Sequence, residues 1–250
     1  MHGRAANGLK KAVAFVDYEH WYISLLKNYG LAPNIKGWIE ELGARVNLTE
    51  AVFFADFSHR SLADEIRRIR PFSNKIIDTR STMGVKKDFT DFIMLDNMYQ
   101  KALSSDDIET FVLFSGDGHF SSVTSFLKNF YSKEVGVYGI RGSFSRQLQD
   151  SATWCVTLPM EDEIYGAGIQ LILECVKNAK TTVTASYVIT EICKNNKGIT
   201  SSSLNAALKK LVSEGYITER RFGTDPQKNK QTDPVLFVDW DRVQKSSYFR

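Results

Sequence analysis

Apolar residues along this chain fall into two rhythms. Short, nearly unbroken apolar runs occupy residues 12–16, 50–57, 75–78, 111–114, 135–139 and 154–158. Runs of that length with little alternation predict strands buried on both faces. Between them, apolar residues recur every three or four positions over residues 18–29, around Trp38, Ile39, Leu42 and Val46, and over residues 61–70, 88–103 and 120–130. Gly30, Pro33 and Pro71 punctuate these helical stretches, and residues 141–151 read as a polar turn with a short helix. On the longest, Phe92, Leu95, Tyr99 and Leu103 predict the inward face; on residues 120–130, Val123, Phe126, Leu127 and Phe130 do so. Alternating strand–helix units over residues 11–158 predict an α/β domain, a mostly parallel sheet with helices on both faces.

After Pro159 and the acidic Glu161-Asp162-Glu163 the pattern changes. Residues 164–176, 186–194 and 201–214 predict three helices with Leu171, Val188, Ile192, Leu204, Leu208 and Leu211 inside. Two short strand-like runs, 215–222 and 234–238, flank a polar loop. Three helices and a hairpin predict a winged helix, a helix-turn-helix variant, over residues 164–245. Its exposed elements would carry Ser201, Ser202, Ser203, Asn205, Lys209 and Lys210 on the third helix, and Arg220, Arg221, Lys228 and Lys230 on the wing. Those elements would meet a duplex, DNA or RNA. A protein-interaction module is the alternative.

Composition changes this picture little. The 250 residues are 43% hydrophobic and 24% charged, with a net charge of +3, which permits a nucleic-acid partner without demanding one. No apolar run approaches the roughly 20 residues that span a bilayer, so no membrane partner is expected. Residues 1–11 lack a signal-peptide core and read as a short disordered lead-in. Cys155, Cys175 and Cys193 are widely spaced with no CxxC, as in buried thiols of a reducing compartment; the cytoplasm is the expected location.

The candidate chemistry is acidic. Asp17 ends the first strand and Asp117 the fourth, inside Ser115-Gly116-Asp117-Gly118-His119, while Asp91 and Asp96 lie on the preceding long helix. In strand order 3-2-1-4-5 the first and fourth strands meet at the switch point, where open α/β sheets bind ligands. A cluster of carboxylates without His or Cys ligands suits Mg²⁺ or Mn²⁺, ions that neutralise phosphate and lower the pKa of bound water. Each acid also has a plainer reading: Asp17, Asp88 and Asp117 as helix caps, Asp96 as a solvated face residue, Asp150 as a rim acid or cap. No P-loop is present, which argues against an NTPase.

Four segments carry a family resemblance: Ala14-Phe15-Val16-Asp17-Tyr18-Glu19-His20, the stretch from Lys86-Lys87-Asp88 through Asp91 and Asp96, the Ser115-Gly116-Asp117 segment, and Leu148-Gln149-Asp150 before the last strand. In this order they resemble NYN domains of the PIN-like nuclease superfamily, LabA-like branch, over about residues 11–158. The resemblance implies a PIN-like, Rossmannoid sheet and a metal-dependent endoribonuclease. Asp17, Asp117 and Asp96 would be its catalytic acids, holding Mg²⁺ or Mn²⁺ with Asp91 as the second helical candidate. Five residues turn a helix by about 140°, so Asp91 and Asp96 do not both face one ion.

Lys86, Lys87, Ser115 and His119 would contact single-stranded RNA, as Lys209, Lys210, Arg220 and Arg221 would on the winged helix. His20 and His119 stand where the family commonly has Asn and Asp; they read as packing residues or, for His119, a ligand of a softer ion. A catalytically weak NYN domain acting as an RNA- or DNA-binding regulator is therefore the competing function. A phosphatase or nucleotide hydrolase would share the metal chemistry. A homodimer through Trp21, Tyr22 and Trp38 is a further expectation.

Overall fold

The computed structural model describes residues 8–80, 89–222, 224–225, 230–231, 233–246 and 248. Its packing divides the chain into two units, residues 1–24 with 32–158, and residues 25–31 with 159–250.

In the first unit, β1 (Lys11–Asp17), β2 (Asn47–Ala55), β3 (Lys75–Asp78), β4 (Thr110–Phe114), β5 (Glu134–Ile140) and β6 (Trp154–Leu158) form one sheet in the order β3-β2-β1-β4-β5-β6. Every pairing is parallel. Both faces are covered, which is why the strands read as apolar runs. On one face Val13, Phe15, Phe111, Leu113, Val135 and Val137 meet α4 (Thr90–Ser104), α5 (Ser121–Tyr131) and α6 (Arg146–Ser151) through Met94, Met98, Val123, Leu127 and Leu148. On the other, α1 (Tyr18–Tyr29), of which residues 18–24 belong to this unit, and α2 (Ile35–Gly43) bring Trp21 and Trp38 onto Phe53, Phe114 and Tyr138. The helix read over residues 61–70 is only the short α3 (Glu65–Ile69), preceded by turns.

Two readings of faces are corrected here. The stripe of α4 that enters the core is Thr90, Met94, Met98 and Ala102, whereas Phe92 and Leu103 are 68% and 70% exposed. The slot over β1 and β2 accepts unbranched Met and small Ala and Thr, while Leu95 and Tyr99 only flank that core. On α5, Val123 and Leu127 are buried but Phe130 is 78% exposed. Of the three aromatics expected at a dimer surface, Trp21 and Trp38 are core, 1% and 3% exposed, and Tyr22 is half-buried.

The second unit holds α7 (Glu161–Asn178), α8 (Ala185–Asn195) and α9 (Ser201–Ser213), then β7 (Ile217–Arg220), β8 (Thr224–Asp225), β9 (Lys230–Gln231), β10 (Val235–Val238) and α10 (Trp240–Gln244). β7 pairs with β10 and β8 with β9, both antiparallel, and Thr184 bridges to Val235. Thr184 and Thr200 cap α8 and α9 by accepting the Tyr187 and Ser203 amide hydrogens. A methyl group added at Gly168 of α7 would lie 3.5 Å from Leu204 and 3.6 Å from Ala207 of α9, ordinary van der Waals contact. Among the described residues no helix is long and apolar enough to cross a membrane.

Candidate functional site

The switch point of the sheet lies between β1 and β4, where Val16 pairs with Phe114 and the chain leaves both strands at the same edge. Asp17 shares the parity of Val13 and Phe15, the face covered by α4 to α6. It is 7% exposed. Its Oδ1 accepts the His20 amide hydrogen at 3.0 Å and its Oδ2 the Ser115 hydroxyl at 3.3 Å. Ser115 in turn accepts the Asp117 amide hydrogen at 3.2 Å, so one buried hydroxyl links the two strand-end acids.

Asp117 caps a single 3₁₀ turn, Gly118–Phe120, by accepting the His119 amide hydrogen at 2.9 Å. The His119 ring returns to the same carboxylate, its Nδ1 3.2 Å from Oδ1. Asp91 approaches from the first turn of α4, whose start is pinned to this edge: the buried hydroxyls of Thr90 and Thr79 lie 2.7 Å apart, and Thr79 donates its amide hydrogen to the Ala55 carbonyl at the end of β2. Asp91, Asp117 and His119 thereby offer one donor atom each, all within 4.8 Å of one another. Two carboxylates and one imidazole at that spacing fit a divalent cation, with oxygen donors for a hard ion and nitrogen for a softer one.

Asp96 does not join this group. It is exposed, five residues along α4, and accepts a hydrogen bond from Gln100 at 2.7 Å. Lys86 and Lys87 fall outside the described residues. In the second unit, Lys209 and Arg221 line one groove of about 570 Å³ with Asn205 and Ser186. Lys210 turns instead toward the rings of Tyr165 and Tyr248 and toward Glu214, and the Arg220 guanidinium lies over the Phe237 ring. The side chains of Lys228 and Lys230 also lie outside the description.

Reading the sequence did not find the contribution of the β5–α6 loop. Ser145 donates its amide hydrogen to the Gly116 carbonyl at 2.9 Å, and the Ser143 carbonyl lies against His20. Arg141-Gly142-Ser143 is legible as a turn, and Gly142 has φ +86°, but nothing local says which loop it meets. Burial pushes the His20 imidazole below its ordinary pKa, against the opposing pull of the Asp117 charge and the Ser143 carbonyl. Gly116 is crowded for the same reason: a methyl group there would overlap the Ser143 carbonyl oxygen and press on His20 Nε2. Gly116→Ala is expected to lower stability by about 1–3 kcal/mol, as overpacking does, read as a fall in the thermal midpoint. An unchanged midpoint would mean that the loop yields freely.

A six-stranded parallel sheet with helices around it and an acidic switch-point edge is the α/β arrangement of a PIN-like nuclease fold. The NYN domain model matches residues 11–159, more than half of the sequence, and the chain belongs to that family. A crystal structure of a Vibrio parahaemolyticus protein of unknown function shares the fold with a TM-score of 0.53 and 20% identity, over 62% of this chain and 97% of that one. No curated protein matches the chain.

Proposed function

We propose that this protein is a metal-dependent endoribonuclease whose cation is held by Asp91, Asp117 and His119. The observation that carries the reading is the meeting of three donors from α4 and the β4–α5 turn at the switch-point edge of an NYN domain. A divalent ion bound there would neutralise phosphate and lower the pKa of water for attack on phosphorus. Asp91 and Asp117 supply the negative charge that attracts the ion. Asp17, through His20 and Ser115, holds the loop that presents Asp117; it positions the donors and is not one of the three. Asp96 lies on the exposed outer side of α4, away from this role.

The second unit, in this reading, is a winged helix that positions the nucleic acid. Its support is the order of three helices followed by an antiparallel strand pair, with Lys209 and Arg221 along one groove. Phosphate contacts by these cations would make binding salt-sensitive.

Labelled single-stranded RNA incubated with Mn²⁺, Mg²⁺ or EDTA tests the proposal. Cleavage is expected with the metals and not with EDTA, and faster with Mn²⁺ because an imidazole donor suits it better than Mg²⁺. His119→Ala should narrow that Mn²⁺ preference. Cutting that persists in EDTA would sink the metal assignment. A binding regulator without activity is the second reading, favoured by Asp17 being buried with both carboxylate oxygens occupied by internal hydrogen bonds. RNA retained without cutting in either metal would select it.

A further inference from the structure

We propose that the outward face of the β7–β10 hairpin is a platform on which the bases of single-stranded RNA stack. Strand alternation sorts the hairpin into two faces. Ile217 and Leu236, 1% and 3% exposed, point inward, and the register puts Glu219 and Val238 on their side. Thr218 and Arg220 of β7 and Val235 and Phe237 of β10 therefore face outward, and none of the four is acidic. Arg220 stands opposite Val235, and its guanidinium reaches the diagonal neighbour instead, lying 5.0 Å over the Phe237 ring. Phe222, just past the end of β7, meets that ring edge-on at 6.3 Å and is itself 62% exposed.

Planar groups and charge identify the occupant. Two aromatic rings and one exposed guanidinium lie side by side on this face. Unpaired bases stack on aromatic rings and on guanidinium planes alike, and an arginine beside them also meets the phosphates. A duplex keeps its base faces stacked inside, so it has nothing to lay on these rings. The groove that holds Lys209 and Arg221 is also lined by Glu219 and so lies on the inward side of the same hairpin. Adjacent in the chain, Arg220 and Arg221 thus serve opposite faces. The inference rests on reading the second unit as the one that positions nucleic acid, and it makes no use of the metal donors.

Anisotropy of a labelled oligouridylate of about 12 nucleotides, measured on the full chain in EDTA so that nothing is cut, tests this beside a duplex RNA of equal length. Phe222→Ala and Phe222→Leu should each weaken single-strand binding by about 10-fold or more, the loss of one stacked base, and leave duplex binding and the circular-dichroism melt unchanged. Phe222→Tyr should retain wild-type affinity. Arg220→Gln should flatten the salt dependence by about 0.7 in log–log slope, one phosphate contact on a single strand. Phe130→Ala, at a 78% exposed aromatic of the first unit, is the control and should bind as wild type does. Full affinity in Phe222→Leu would mean an apolar contact of the kind a protein partner makes, and would overturn the proposal. So would single-strand and duplex binding that fall together, or a wild type that binds no single strand up to about 100 μM, the weak end of non-specific binding. A chain that binds in this pattern but cuts no RNA with either metal would sink the nuclease reading alone; one that cuts RNA while ignoring Phe222 would sink this one alone.

Discussion

Asp117→Asn is expected to lower metal-dependent RNA cleavage by about 100-fold or more while the protein remains folded. The expectation rests on two jobs of one side chain. As a cap, Asp117 accepts the His119 amide hydrogen at 2.9 Å, and asparagine caps as well as aspartate. As a donor beside Asp91 and His119 it supplies a negative charge that asparagine lacks. Removing even a residue that only supports a metal ligand typically costs 10–100-fold in affinity or activity, so loss of a ligand should reach at least the upper end of that range. Three measurements check it: the RNA cleavage rate, Mn²⁺ binding by calorimetry and the thermal midpoint. A normal midpoint with cleavage and Mn²⁺ affinity both unchanged would remove Asp117 from the site. Asp96→Asn serves as the comparison and should leave cleavage near wild type, because Asp96 is engaged with Gln100 on the outer side of α4.

Phe114→Ala is expected to cost about 3–5 kcal/mol of stability, the range for losing a buried aromatic side chain. The Phe114 ring stacks on Trp21 at 4.1 Å and on Tyr138 at 5.8 Å, and Trp38 meets it edge-on at 5.6 Å. These partners belong to three elements, so the cavity cannot close by the movement of one. The backbone on either side of this stack feeds the site: Phe114 precedes Ser115, and Trp21 follows His20. Total stability of a domain is typically about 5–15 kcal/mol, so a loss of this size brings unfolding close to ordinary temperatures. Urea unfolding followed by tryptophan fluorescence suits the test, since Trp21, Trp38 and Trp154 all lie in the first unit. A change below about 1 kcal/mol would mean that the aromatic cluster repacks around the gap.

Much of the fold was legible in the sequence, for a reason specific to this architecture. A parallel sheet covered on both faces needs strands that are apolar throughout, and each such run from residues 12–16 to 154–158 is a strand of one sheet. Right-handed crossovers then leave few strand orders, and the expected meeting of the first and fourth strands is observed. Asp17 and Asp117 were legible because they follow the apolar runs directly, where the chain must leave the sheet. The helical acid was harder. Choosing Asp96 over Asp91 followed the family motif, and the face of α4 was read from its largest apolar residues, Phe92, Tyr99 and Leu103. The slot over the sheet takes the slimmer Met94, Met98 and Ala102 instead, and that choice brings Asp91 to the edge.

The sequence by itself determined the element types, their order and the edge of the sheet where acids gather, because these follow from local periodicity and from the polarity of residues at strand ends. Which stripe of α4 turns inward, that Trp21 and Trp38 are core, that His119 joins Asp91 and Asp117, and that Ser143 lies under His20 were decided only by tertiary structure. Two apolar stripes on one helix are locally equivalent. Only the shape of the surface beneath them, assembled from strands distant in sequence, selects between them.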